Sequence, residues 1–307
     1  MPEPELTIAS LLRDPSLTQA CGQWLRGGRY RLESLDPDGD PVASLDRQRE
    51  AFDALLLEQG VLSEDTARAL GERGLLLPAV VIGQVTGRVA VHEAEVHLPP
   101  DQLEQLSYSL DAAVSRFLRR GAPSAAGQGE GVPTQGGPGD AAMEDRWKLA
   151  NRLRGRLGYL GVYYKRDPAR FLRNLSPADR EELLQSLSRT YRDLLLSYFR
   201  DPAMANQALE SFVNTAFFSD LPITRAVEIH MNLIEGFGKQ LQLEGHKNDF
   251  LQDYRLALLD VIAHLCEMYR RSIPPDRPMS AEPAFAAGAL SSAAAMVRPS
   301  TFPADLR

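Results

Sequence analysis

A charged stripe near the end of the chain has residue types that could serve catalysis, metal binding or recognition. Its members are spaced by four, three and four residues, and they are Asp260, His264, Glu267 and Arg271. On a helix with about 100° per residue, this spacing aligns all four side chains. The opposite side has the broad apolar face of a packed helix, formed by Leu258, Val261, Ile262, Leu265 and Tyr269.

Catalysis and metal binding both fit this stripe poorly. A nucleophile must meet its base, whereas Cys266 lies two residues from His264 and points about 200° away on a helix. We therefore expect Cys266 to be a core thiol on the apolar side. His230 and His264 each have valine three residues earlier, so neither has the Glu-x-x-His spacing of metal sites in helical bundles. A phosphate-binding glycine motif is also absent.

The sequence thus predicts no enzyme activity and no catalytic, cofactor or metal site. Two interpretations of the stripe remain, a recognition surface and an ordinary solvated face. Spacing alone favours the solvated face, because polar helical faces are common.

Composition bounds the class of protein. The chain has 307 residues, a net charge of −7 and two cysteines far apart in sequence. The negative charge argues against nucleic acid as the main partner, and the cysteine pattern favours a reducing compartment. No segment approaches the roughly 18 consecutive apolar residues of a membrane span, and the acidic N-terminus is unlike a signal peptide. We expect a cytoplasmic protein without a membrane span.

Composition also divides the chain into four parts. Residues 1–120 alternate strand-like and helix-like segments, which predicts a parallel sheet with helices on both faces. Residues 121–142 are rich in Gly, Pro, Ser and Ala, which is typical of a disordered linker. Residues 143–274 contain only helical patterns and predict a four-helix bundle. Residues 275–307 resemble the linker in composition and predict a disordered tail.

Two further features concern the helical part. Ser176 followed by Pro177, and Asp201 followed by Pro202, are helix-start signals. The helices also carry more apolar surface than a small bundle needs, which predicts a homodimer. The candidate interface residues are Phe212, Phe217, Phe218 and Ile223.

The order of strands in residues 1–120 resembles the receiver domain of two-component signalling, and thus a flavodoxin-like fold. Three positions depart from the receiver pattern. Glu58 stands where the phosphate-accepting aspartate is expected, Gly83 where Ser or Thr is expected, and Pro99 where a lysine is expected. Because phosphotransfer needs the aspartate, a divalent ion and a cation, the sequence predicts a pseudo-receiver that is not phosphorylated this way.

Three longer segments carry a second resemblance. They are GYLGVYYKRDPARFLRNL (158–175), AFFSDLPITRAVEIHM (216–231) and DYRLALLDVIAHLCEMYRRSIP (253–274). Together with the pseudo-receiver and linker, they resemble the KaiA family of cyanobacterial circadian clock proteins. The similarity is strongest across about 146–274.

This resemblance implies a function that the residues alone do not. KaiA-like proteins are dimers that bind the C-terminal tail of the clock kinase KaiC and stimulate its autophosphorylation, and the KaiB–KaiC complex captures them later. Oxidised quinones are effectors in the family. With the resemblance, the stripe becomes a recognition surface for the KaiC tail. The other wall of the groove would be the polar side of the preceding helix, formed by Glu228, Asn232, Glu235 and Gln242.

Two alternatives remain open. One is a two-component output protein whose helical part binds a histidine kinase or nucleic acid. The other is a quinone or redox sensor with a different partner. Binding to a KaiC tail peptide alone would separate the activator from both.

Overall fold

The computed structural model describes residues 6–120, 166–244 and 249–272, together with Leu149 and Leu153, which are helical. The predicted linker 121–142, residues 143–165 apart from Leu149 and Leu153, and the predicted tail 275–307 lie outside the described residues. The described residues belong to one compact unit.

Five parallel strands form a single sheet with the order β2-β1-β3-β4-β5, which is the flavodoxin-like order. The strand bounds are β1 Leu6–Leu11, β2 Tyr30–Ser34, β3 Ala54–Glu58, β4 Ala79–Ile82 and β5 Val96–Leu98. β1 is buried along its whole length, as continuous apolar strands in parallel sheets are. The prediction of a parallel sheet with helices is confirmed.

Helices connect the strands and begin at recognisable caps. Asp14, Asp40 and Ser63 each accept a backbone N–H with the side chain at a helix start. The helices are α1 Pro15–Trp24, α2 Pro41–Arg47, α3 Glu64–Glu72 and α4 Leu106–Arg120, with a 3₁₀ turn at Pro100–Gln105 before α4.

The last strand is shorter than predicted. The segment VHEAEVHL (91–98) has a strand-like pattern over its whole length. Only Val96–Leu98 pairs with the sheet. The Glu95 carboxylate accepts the backbone N–H groups of Ala90, Val91 and His92, at 2.7, 2.7 and 3.2 Å. These bonds close a loop, so residues 90–92 cannot continue the ladder.

Four helices lie in the described residues that follow position 166. They are α5 Pro177–Ser197, α6 Pro202–Phe218, α7 Ile223–Leu243 and α8 Arg255–Ser272, with short 3₁₀ turns at Pro168–Arg170, Leu172–Asn174 and Asp249–Tyr254. Both predicted starts are confirmed, since Ser176 accepts from the Asp179 N–H and Asp201 from those of Ala203 and Met204. The four-helix bundle itself stays a prediction.

The phenylalanines of α6 fill the core of their own chain. Phe212, Phe217 and Phe218 are at most 1% exposed. Fully buried side chains have no surface that a partner could contact. These three residues therefore do not supply the excess apolar surface from which the dimer was predicted. Ile223, at the start of α7, is exposed and is the remaining member of the candidate interface.

A buried polar network joins the sheet region to α5 and α6. The Gln105 side-chain amide donates to Ser186 Oγ at 2.6 Å and to Thr190 Oγ1 at 2.9 Å. Its carbonyl oxygen accepts from Thr215 Oγ1 at 2.7 Å. The Gln105 amide makes these three hydrogen bonds only when the 3₁₀ turn has one orientation relative to α5 and α6. The network therefore fixes that orientation.

The exposure of one cysteine in α8 differs from the prediction. Cys266 is exposed, so the prediction of a core thiol is wrong. The buried line of α8 runs through Ala257, Val261 and Leu265, and Cys266 points about 100° away from it.

α7 runs without interruption past Gly236, where an added Cβ would meet open space.

Candidate functional site

The sequence stripe forms an exposed face of α8. The Nδ1 of His264 lies 2.8 Å from the backbone carbonyl oxygen of Asp260, one turn earlier. A carbonyl only accepts, so Nδ1 carries the proton and Nε2 of the neutral ring is left as an acceptor. The Asp260 carboxylate accepts a hydrogen bond from the hydroxyl of Tyr198, which directly follows α5. Burial, reinforced by that bond and by the charge of Asp260, raises the pKa of Tyr198 to about 12.

Glu267 is held between two arginines. Arg270 donates to both carboxylate oxygens at 2.7 and 2.6 Å, and Arg271 donates through Nε at 2.5 Å. These bonds, those of Arg270 first, lower the pKa of Glu267 to about 2. The carboxylate therefore remains ionised at neutral pH and orients both guanidinium groups.

His264, Glu267 and Arg271 line one cavity of about 380 Å³. Its other walls come from α4 and α6, through Arg116, Arg119, Glu210, Val213 and Asn214. Arg116 and Glu210 form an ion pair across these walls at 2.8 Å. The stripe thus borders a concave surface with charged groups of both signs, which suits recognition of a polar segment.

Sequence reasoning missed the contribution of α4 to this cavity. Arg116 and Arg119 lie more than 140 residues before His264 in the sequence, and only packing of α4 on α6 brings them near. Their basic character is visible in the segment RFLRR (116–120), yet no local pattern links that segment to α8.

The predicted second wall on α7 lies elsewhere. Among the described residues that line the cavity, none comes from α7. Four α7 side chains of the prediction are exposed, and they are Glu228, Asn232, Glu235 and Gln242. Glu228 pairs with Arg225 at 2.6 Å, and Glu235 pairs with Lys239 at 2.7 Å. A role for these four residues in tail binding stays a prediction.

The three degenerate receiver positions lie at one edge of the sheet, where β3, β4 and β5 end. Glu58, the last residue of β3, accepts the backbone N–H groups of Arg13 and Asp14 at 2.7 and 3.1 Å. Gly83 directly follows β4, and an added Cβ would lie 2.4 Å from the Gln59 side chain. Pro99 directly follows β5. The carboxylate at the expected acceptor position is thus already occupied by internal hydrogen bonds.

Among the described residues, no group of three or more His, Cys, Asp and Glu side chains could hold a metal ion. None of the helices described is long and apolar enough to cross a membrane.

Comparisons with known proteins agree on one family. A family model for the N-terminal domain of circadian clock protein KaiA matches residues 6–121, and one for the KaiA C-terminal domain matches residues 155–276. The KaiA circadian clock oscillator protein of Parasynechococcus marenigrum is 56% identical over 91% of this chain and 93% of its own length. That of Synechococcus elongatus is 41% identical over 88% and 98%.

The chain is also similar to a solved structure, the crystal structure of the C-terminal domain of Thermosynechococcus elongatus BP-1 KaiA. The two are 51% identical in sequence over 34% of this chain and 100% of that chain, with a TM-score of 0.31. Two matched domains and high identity over most of the length show the family. This chain belongs to the KaiA family of cyanobacterial circadian clock proteins.

Proposed function

We propose that this chain is a non-enzymatic activator of the clock kinase KaiC. As a dimer it binds the C-terminal tail of KaiC and stimulates autophosphorylation, and the KaiB–KaiC complex opposes it by capturing the activator. Membership of the KaiA family is the observation that carries this proposal.

The physical mechanism is a population shift. A protein that binds only the extracted conformation of the tail moves the kinase toward that conformation by its differential affinity. Moving a two-state equilibrium from 1:99 to 99:1 takes a preference of roughly 10⁴-fold. No chemical step by the activator is needed, because the kinase supplies the phosphoryl transfer.

The face of α8 supports a recognition role. His264 offers Nε2 as an acceptor, since Nδ1 is engaged by Asp260. Arg271 and Arg270 are oriented by Glu267, which reduces the entropy lost when they bind a peptide carboxylate. A tail segment with both donors and acidic groups would complement these side chains.

Exposed apolar side chains support a dimer. Phe199, two residues after the end of α5, is 54% exposed and contacts Tyr254, with ring centroids 5.2 Å apart. Leu256 and Leu259 of α8 are 52% and 60% exposed. We place the dimer contact on this α5–α8 surface and on Ile223, because exposed apolar groups on a helical protein are typical of an interface.

The N-terminal region acts as a pseudo-receiver. Glu58 supplies a fixed negative charge whose hydrogen bonds to Arg13 and Asp14 tie β3 to the end of β1. Without an aspartate acceptor and a cation at Pro99, phosphotransfer chemistry has no acceptor group and no stabilising charge. Modulation by oxidised quinones belongs to this proposal as a family effect.

Binding of an isolated KaiC tail peptide tests the proposal. A fluorescently labelled peptide is titrated with the full chain, and its anisotropy is expected to rise and saturate. A scrambled peptide of the same composition is the control. Equal binding of the two peptides, or no binding of either, would overturn the proposal and favour a different partner.

A further inference from the structure

A buried histidine–glutamate pair lies on the last strand, away from the α8 stripe. His97 Nε2 lies 2.7 Å from Glu95 Oε1, and the two side chains are 5% and 3% exposed. Burial alone would raise the pKa of Glu95, but hydrogen bonds from His97, Ala90 and Val91 outweigh it and hold the pKa below its usual value. The ionised carboxylate only accepts, so Nε2 carries the proton.

In the neutral ring, this tautomer leaves the other nitrogen, Nδ1, as an acceptor. His97 Nδ1 is buried and has no hydrogen-bond partner in the described part of the chain. Ser211 Oγ of α6 is likewise buried and unpartnered there. Unsatisfied buried polar atoms cost about 1–3 kcal/mol each, so such atoms call for a partner.

Both residues line the same cavity. It has a volume of about 280 Å³, and a second cavity of about 490 Å³ shares His97 and Val89 with it. His97 is therefore a buried polar side chain that lines both adjoining cavities. The two cavities together reach the volume of ordinary small-molecule sites.

The cavity is preformed by a glycine that fixes its loop to α6. Gly87 donates its N–H to Gln207 Oε1 at 2.8 Å. It has a φ of +73°, and an added Cβ would lie 2.5 Å from the Cβ of Ala203. Only glycine allows both this backbone conformation and this close approach.

The charges around the smaller cavity favour a cation over an anion. Its ionisable lining consists of one arginine and three glutamates besides His97, and they are Arg116, Glu93, Glu95 and Glu210. Arg116 is already paired with Glu210. A protonated amine could donate to His97 Nδ1 and Ser211 Oγ while facing the carboxylates.

We propose that this cavity between β5 and α6 binds a small protonated amine, with His97 and Ser211 as the groups that accept its hydrogen bonds. The site lies between the sheet region and the helical part. An occupant would therefore stabilise their packing, since it contacts residues of both.

Benzylamine is the probe, and benzoate, of similar size and opposite charge, is its matched control. The chain has five histidines, so the ring nitrogens of isotope-labelled histidine can be followed by NMR in the full-length protein. We expect benzylamine to shift the Nδ1 resonance of His97 in a saturable way, while benzoate leaves it unchanged. Ser211→Ala should weaken benzylamine binding about threefold to tenfold, the loss of one hydrogen bond.

Ser188→Ala is the control variant, because Ser188 bonds the Leu184 carbonyl of α5 and is absent from the lining of either cavity. It should bind benzylamine like the wild type. An unchanged His97 resonance at saturating benzylamine, equal shifts with benzoate, or equal weakening by both variants would each overturn the proposal.

Discussion

His264 Nδ1 donates a hydrogen bond to the backbone carbonyl of Asp260 at 2.8 Å, within the same helix. The bond selects the ring tautomer and leaves Nε2 on the exposed side of α8. A partner that binds this face therefore meets an acceptor at His264 Nε2.

The ion pairs of Glu267 predict a low titration midpoint. The carboxyl group should titrate near pH 2, well below the usual 4.5, because Arg270 and Arg271 donate to the ionised form. The stabilisation is fully present above about 4.5 and is lost as the pH falls through the lowered value. NMR of the side-chain carboxyl measures the midpoint. Arg270→Ala should move it upward, and an unchanged midpoint would contradict the assigned cause.

His230 predicts a loss of stability in mild acid. It is buried beside the Tyr191 hydroxyl, 3.1 Å from Nδ1, and burial lowers the pKa of His230 below 6.5. The unfolded chain then binds a proton more readily than the folded one. Stability should be highest above about pH 6.5 and fall as the pH drops through that value.

The measurement is the thermal midpoint between about pH 8 and pH 5. His230→Gln keeps an acceptor for Tyr191 but does not titrate, so the difference in midpoint between wild type and variant should narrow at low pH. A difference independent of pH would exclude His230 as the titrating group.

The Gln105 network predicts that loss of its one side-chain amide lowers the stability of the fold strongly. Gln105→Leu leaves Ser186, Thr190 and Thr215 with fewer partners, and we expect a loss of about 2–4 kcal/mol in the free energy of unfolding. Urea unfolding measures it. Gln185→Leu, the same change at an exposed position of α5, should alter stability by less than about 0.5 kcal/mol. Equal effects would show that the network contributes nothing specific.

The dimer surface predicts an effect of one exposed leucine. Leu259→Glu places a charge on the proposed interface and should weaken the dimer at least about tenfold, or 1.4 kcal/mol. Light scattering over a dilution series measures the dissociation. Val89→Glu, at a similarly exposed position in the sheet region, is the matched control and should remain dimeric. Should Leu259→Glu remain as tight a dimer as the control, the interface lies elsewhere.

The sequence predicts local features of this fold well. The alternation of strand-like and helix-like segments in residues 1–120 predicted the parallel sheet, and the Ser176 and Asp201 caps located two helix starts. Local chemistry suffices there, because caps and buried strands are decided by neighbouring residues.

Features that depend on tertiary contacts were mispredicted or missed. β5 is short because the Glu95 carboxylate accepts hydrogen bonds from three backbone N–H groups. The periodicity of the sequence does not predict these bonds. Phe217 and Phe218 pack inside the chain, with rings 5.2 Å apart, where surplus apolar surface was expected. The arginines of α4 beside His264 come from a distant segment.

Phosphorylation of KaiC is the most direct test of the central claim. Purified KaiC and ATP are incubated with wild type, with His264→Ala, and with Glu182→Ala, a control at an exposed position of α5. We expect wild type and Glu182→Ala to raise the phosphorylated fraction, and His264→Ala to fail while remaining dimeric. No stimulation by the wild type would contradict the proposed activator, and full stimulation by His264→Ala would contradict the assignment of the α8 face.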